Sequence, residues 1–200
     1  SDPQVLLAGL AVLLYPGYSG PLRSSRRSAM LYVALLGCGL SLVLAVQRVE
    51  LVDGALELGV ASLSALATGS VAGSVGLAMV LGHWYLTIPD LQVSHLQRLN
   101  RVTMGAMGAS LLALGATCLV FAEPLRAAQT PLFGPWGLFY LGTRVAVGLA
   151  LPLLFAWMAA SSLAYRNTRS ATGILYASTV LVLIGTAVSI SLQDSYGIPL

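Results

Sequence analysis

The sequence predicts an all-α fold: a polytopic bundle of about six transmembrane helices, forming one transmembrane domain over residues 1–200, with both termini on the outer side. Three observations carry this expectation. Hydrophobic side chains make up 57% of the chain and charged ones only 8%, with a mean hydropathy of +0.85, whereas soluble domains carry about 25% charged residues. Six apolar stretches approach the roughly 20 residues that cross about 30 Å of hydrocarbon. The arginines fall mostly in alternate loops. This composition excludes a water-soluble domain and a disordered tail. Two cysteines cannot form a disulfide framework.

The first stretch, residues 5–18, is short and meets Pro16 and Gly17, so it crosses only with help from upstream residues or a thinned bilayer. It lacks a basic leader and a small-residue cleavage pattern, and does not read as a signal peptide. The second runs over residues 28–49. The third, 55–88, is too long for one perpendicular crossing and must tilt or project. The fourth covers 99–121, the fifth 135–165 and the sixth 171–192. No two-residue alternation suggests a barrel, and helices pair every backbone donor within the segment.

Orientation follows from charge. All ten basic residues are arginine, and arginines near span ends are retained on the cytoplasmic side. Odd-numbered loops hold Arg23, Arg26, Arg27, Arg98, Arg101, Arg166 and Arg169. The other side collects Glu50, Asp53, Glu57, Glu123 and Asp194, with Arg48 and Arg126. Trp84, Tyr85 and Tyr165 fall at inner ends and Trp136, Tyr140 and Tyr196 at outer ones, as interfacial rings do. The expected location is therefore a membrane, specifically the bacterial inner membrane. Basic residues are too scattered for a nucleic-acid footprint. Cys38 and Cys118 sit within apolar runs and read as free, packed thiols.

Small residues permit close helix approach in lipid. The third span carries Ser62, Gly69, Gly73 and Gly76 on one stripe, and the fourth carries Gly105, Gly108 and Gly115. The expectation is a tight hairpin closed by these stripes, with His83 continuing the packed face.

Two polar features are candidate sites. The inner end of the hairpin holds His83, Trp84, Tyr85, Asp90, His95 and Arg98, and includes both histidines of the chain. An imidazole near the bilayer surface can hydrogen-bond a quinone carbonyl and exchange a proton near neutral pH. Ordinary belt aromatics and topology-setting arginines are the plainer explanation of the same residues. A haem b between His83 and His95 stays open geometrically, but two haems would need four such ligands.

The second feature is Arg144, within the fifth span, which would contact an anionic substrate with Glu123 as counter-charge, or else snorkel to the outer headgroups. Four and eight residues on lie Gly148 and Pro152, and the proline frees the Gly148 carbonyl and bends the helix. The sixth span adds Thr179, Thr186 and Gln193 at seven-residue spacing.

Phosphate-binding loops, dinucleotide fingerprints, zinc motifs and a nucleophile elbow do not occur. Without a complete catalytic set, the sequence does not decide whether the chain is an enzyme. Scant soluble mass and a cluster suited to quinone chemistry favour a membrane subunit of a redox or electron-transfer complex, as in a respiratory chain. Such a subunit would anchor membrane and peripheral partner subunits and bind lipid. The alternatives are a small-solute transporter or channel built on Arg144, and a structural or assembly subunit.

Overall fold

A computed structural model of the chain describes residues 24–49, 51–88 and 92–200, together with Leu6. The described residues form helices and no strand. In chain order these are α1 (Ser24–Val46), α2 (Ala55–Thr87), α3 (Val93–Val120), the short α4 (Ala122–Ala127), α5 (Pro135–Val145), a π-helical turn (Ala146–Ala150), α6 (Leu151–Ala164) and α7 (Thr168–Tyr196). Among the described residues five helices are long and apolar enough to cross a membrane: Ser28–Val46, Ala55–Thr87, Val93–Val120, Pro135–Ala164 and Thr168–Tyr196. The chain is an integral membrane protein, helical throughout the regular structure of its described residues. The first stretch expected from sequence, 5–18, lies outside the described residues.

The distribution of apolar groups is that of a protein solvated by lipid. Leu112 and Leu119 are about four-fifths exposed, and Leu36 and Trp136 nearly three-quarters. The interior holds serine, threonine, asparagine and one arginine. In lipid an exposed leucine costs nothing, whereas an exposed amide or guanidinium does. Helix α2 has 33 residues, about 50 Å at 1.5 Å per residue, so it exceeds the hydrocarbon thickness as its length in sequence requires.

Local signals set the helix ends. Asn167 caps α7 by accepting from the Ser170 N–H at 3.1 Å. Gly197, at φ 73°, ends the same helix with its N–H on the Gln193 carbonyl at 2.8 Å. In the fifth span Pro152 has no N–H to offer the Gly148 carbonyl. The chain widens by one residue just before it, with the Leu151 N–H reaching five residues back to the Ala146 carbonyl. This π-turn relieves the clash that proline would cause in a regular helix.

Contacts divide the chain into two units, Ser1–Ser62 and Leu63–Leu200; the division falls within α2, where the sequence shows no change of composition. In the second unit α6 and α7 share the most extensive interface, and α3 packs on α6. Near one end Ala78, Leu96, Ala159, Leu163, Ala171 and Leu175 form a buried cluster that joins α2, α3, α6 and α7. The Thr172 hydroxyl ties α7 to α2 through the Gly82 carbonyl at 3.0 Å.

The glycine stripes do not close this unit. A Cβ built on Gly69, Gly73, Gly76, Gly105, Gly108 or Gly115 would meet nothing within 4 Å. The buried line of α2 is instead Ser64, Ala67, Val71, Val75, Ala78 and Gly82. His83, one residue beyond that line, is exposed. The close backbone approach occurs between the fifth and sixth predicted spans. A Cβ on Gly148 would lie 2.6 Å from the Gly185 Cα, and one on Gly185 would strike the Gly148 backbone.

Candidate functional site

The polar cluster at the 88–92 end is spread over surface. The His83 Nδ1 lies 3.0 Å from the Tyr176 hydroxyl, with the two rings edge to face at 6.5 Å between centroids. Trp84, His95 and Arg98 are exposed. The Tyr85 hydroxyl donates to the Gln92 carbonyl, tying the end of α2 to the start of α3. Asp90 lies outside the described residues. A cavity of about 430 Å³ at this end is lined by Gln92, Val93, Ser94, Gln97, Leu163, Ala164 and Arg166, and none of the five described residues expected from sequence borders it. Tyr176 was not foreseen, because it is distant in sequence and nothing in the pattern of α7 marks its partner.

Arg144 is the largest fully buried side chain in the described structure, at 1% exposure. It does not snorkel. Its Nη1 lies beside Gly148, one turn further into the span, 3.4 Å from where a Cβ on that glycine would stand. Two hydroxyls hold the guanidinium: Nη2 donates to Thr68 Oγ1 of α2 at 2.9 Å and to Ser110 Oγ of α3 at 3.4 Å. Nε and Nη1 have no hydrogen-bond partner. Glu123, the counter-charge expected from sequence, is exposed and pairs with Arg126 at 3.5 Å. Among the described residues Arg144 has no carboxylate partner.

Helix lengths place this group deep. Arg144 is nine residues from the start of α5, about 14 Å along a helix axis. Ser110 is ten residues from the end of α3, about 15 Å. Arg144 therefore lies more than two turns inside its span, nearer the Pro135 end than the Ala164 end. The position is set by glycine: Gly148 and Gly185 let the fifth span and α7 touch at the backbone, which leaves no lipid path to the arginine from that side.

An arginine at a helix centre is unfavourable by about 2.5 to 3.5 kcal/mol on insertion scales. Hydrogen bonds to a charged group return about 1.5 to 3 kcal/mol each. The two hydroxyls therefore go far to offset insertion, while two nitrogens with three N–H bonds between them stay unpaired. That remainder is what an anion would satisfy. The sequence singles out Arg144 but not Thr68 or Ser110, whose one available signal is a depth in α2 and α3 similar to that of Arg144.

Several other polar groups are engaged in structure, though Ser62 Oγ, Asn100 Oδ1 and Ser178 Oγ are buried without a partner. Asn100 Nδ2 bonds the Ala156 carbonyl at 2.8 Å and Gln97 the Leu163 carbonyl at 3.1 Å, stitching α3 to α6. Thr179 and Thr186 bond carbonyls of their own helix. Cys38 and Cys118 are free; Cys38 is exposed rather than packed. Among the described residues no three His, Cys, Asp or Glu side chains gather as a metal site.

Fold and site together define an integral membrane helical protein with a buried arginine held by hydroxyls. Comparisons with protein-family models, with curated proteins and with solved structures found no match.

Proposed function

We propose that the chain is a membrane transporter or channel for a small anionic solute, with Arg144 as the residue that contacts the substrate. The observation that carries this reading is a fully buried guanidinium within a membrane-spanning helix, with two unpaired nitrogens. Ionisable residues at such depth mark substrate pathways more often than packing. The π-turn that begins two residues beyond Arg144 adds to it, since such turns recur at functional positions and give a helix a place to shift. Cavities lie toward both ends of the 63–200 unit. One of about 230 Å³ is lined by Trp136, Tyr140, Ser191 and Ser195. Another, of about 190 Å³, is lined by Gln97, Arg101 and Ala160. They are the natural approaches to a central site that is closed in this conformation. The topology proposed with this role is six spans in the bacterial inner membrane, arginine-rich loops inside and both termini outside.

The test is anion flux into liposomes holding the purified chain, wild type against Arg144→Met. The expected result is saturable uptake that the substitution reduces at least 100-fold. Equal flux through both proteins, or none through either for any small anion tried, would count against the proposal.

The redox-subunit reading has one specific support, the hydrogen-bonded His83 and Tyr176 pair near the membrane surface. Such a pair could hold a quinone carbonyl and relay its proton. It predicts that Tyr176→Phe lowers quinol turnover of the intact membrane complex. Unchanged turnover and inhibitor affinity would remove it.

A further inference from the structure

The hydroxyls around Arg144 bear on which anions the site takes. Thr103, Thr117, Thr143, Thr179 and Thr186 each donate to the carbonyl four residues back, the usual arrangement of a threonine inside a membrane helix. Thr68 and Ser110 are different: the bond recorded for each is the one in which it accepts from Arg144. A hydroxyl that accepts through a lone pair still carries one hydrogen to donate. The group around the guanidinium thus presents the Nε hydrogen, two Nη1 hydrogens and two hydroxyl hydrogens, from three different helices. All are donors, with a single positive charge.

We infer that this cluster is a binding site for a small univalent anion that offers acceptors and no donors. Its one negative charge matches the one guanidinium. A dianion would leave a charge uncompensated in a medium of low dielectric constant, where that is most costly. Its size is limited by the backbone contact of Gly148 and Gly185 beside the guanidinium, because a bulky solute would have to force the fifth span away from α7. A halide and a small monocarboxylate share this chemistry. The inference deepens the transport reading and rests on it only for how the anion arrives and leaves.

Binding is measured on the full chain in lipid nanodiscs, following unfolding temperature while chloride, formate or sulfate replaces gluconate at constant ionic strength. Gluconate is too large for the site and serves as the reference. The expected result is a saturable rise in unfolding temperature with chloride, formate or both, with sulfate at least tenfold weaker. A response to chloride alone identifies a halide site, and a response to formate alone a carboxylate site. The double variant T68V/S110A is expected to weaken the apparent affinity by about 10- to 100-fold, and Arg144→Met to abolish the response. Should the double variant not fold, Arg144→Lys supplies the second comparison, keeping the charge but losing the planar fork. No saturable response in the wild type, or the same response in Arg144→Met, overturns the inference. Saturable binding without flux would keep the site and remove the transporter, so the two readings fail separately.

Discussion

Arg144 is buried with unfilled donors, and that has a consequence for stability. Replacing buried charge by an apolar side chain of similar length is often neutral or stabilising by about 1–4 kcal/mol. In Arg144→Met the Thr68 and Ser110 hydroxyls lose the Nη2 donor, but each can turn to the carbonyl four residues back, as Thr103 and Thr117 do. The expected outcome is a variant whose unfolding temperature in gluconate equals or exceeds that of the wild type, while transport is lost. A fall of many degrees would mean that Arg144 is a structural pin. The residue was legible in the sequence as an arginine inside an apolar span. Its environment was not, because burial versus snorkelling depends on which residues of three other helices share its depth.

At the scale of the element, two kinds of glycine behave differently, and pattern alone did not separate them. The stripes of α2 and α3 have the spacing of a packing motif, yet they face open space. Gly148 and Gly185 have no repeat to announce them and carry the tight contact. The physical reason is that in lipid the buried face is chosen by the groups that most need shelter. On α3 these are Asn100, Thr103, Ser110 and Thr117, all buried, and they turn the glycines outward. Two substitutions separate the cases. Gly148→Ala places a carbon against the Gly185 backbone and is expected to cost about 1–3 kcal/mol, as overpacking does. Gly73→Ala meets nothing and is expected to raise stability by about 0.5–1 kcal/mol through helix propensity. Unfolding temperature in the same lipid decides both, and equal effects would contradict the packing described. Pro152 supplies a third test. Restoring its N–H in Pro152→Ala removes the cause of the π-turn, and an α-helical register would turn Arg144 by about 100° relative to α6. The chain is expected to fold and to lose most of its anion response in the nanodisc titration.

For the whole molecule, the sequence specified the solvent, the helical class and the rough extent of five long helices, because those follow from composition and run length, but it began the fourth span at 99 where α3 begins at Val93, and held the sixth to 171–192 where α7 runs Thr168–Tyr196. It placed function at the inner end of α2 and α3, where titratable residues are dense, but density along the chain is not proximity across it. Gln92 and Arg166 line one cavity at one end, while Trp136 and Tyr196 line another with Thr130 and Ser195. Glu123 and Asp194 fall in the segments leading to that second end. If arginines are retained on the cytoplasmic side, single cysteines introduced on a background of Cys38→Ala and Cys118→Ala have defined exposures to an impermeant maleimide. Glu123→Cys and Asp194→Cys are expected to label in intact cells. Arg26→Cys, Arg98→Cys and Arg166→Cys are expected to label only after lysis. Three long helices separate Arg26 from Glu123, so labelling of both from one side would break the topology. Gln4→Cys then decides the number of spans. If residues 5–18 cross the bilayer, position 4 lies opposite position 26 and labels in intact cells. If they do not, positions 4 and 26 share a side, the bundle has five spans, and the two termini lie on opposite faces of the membrane.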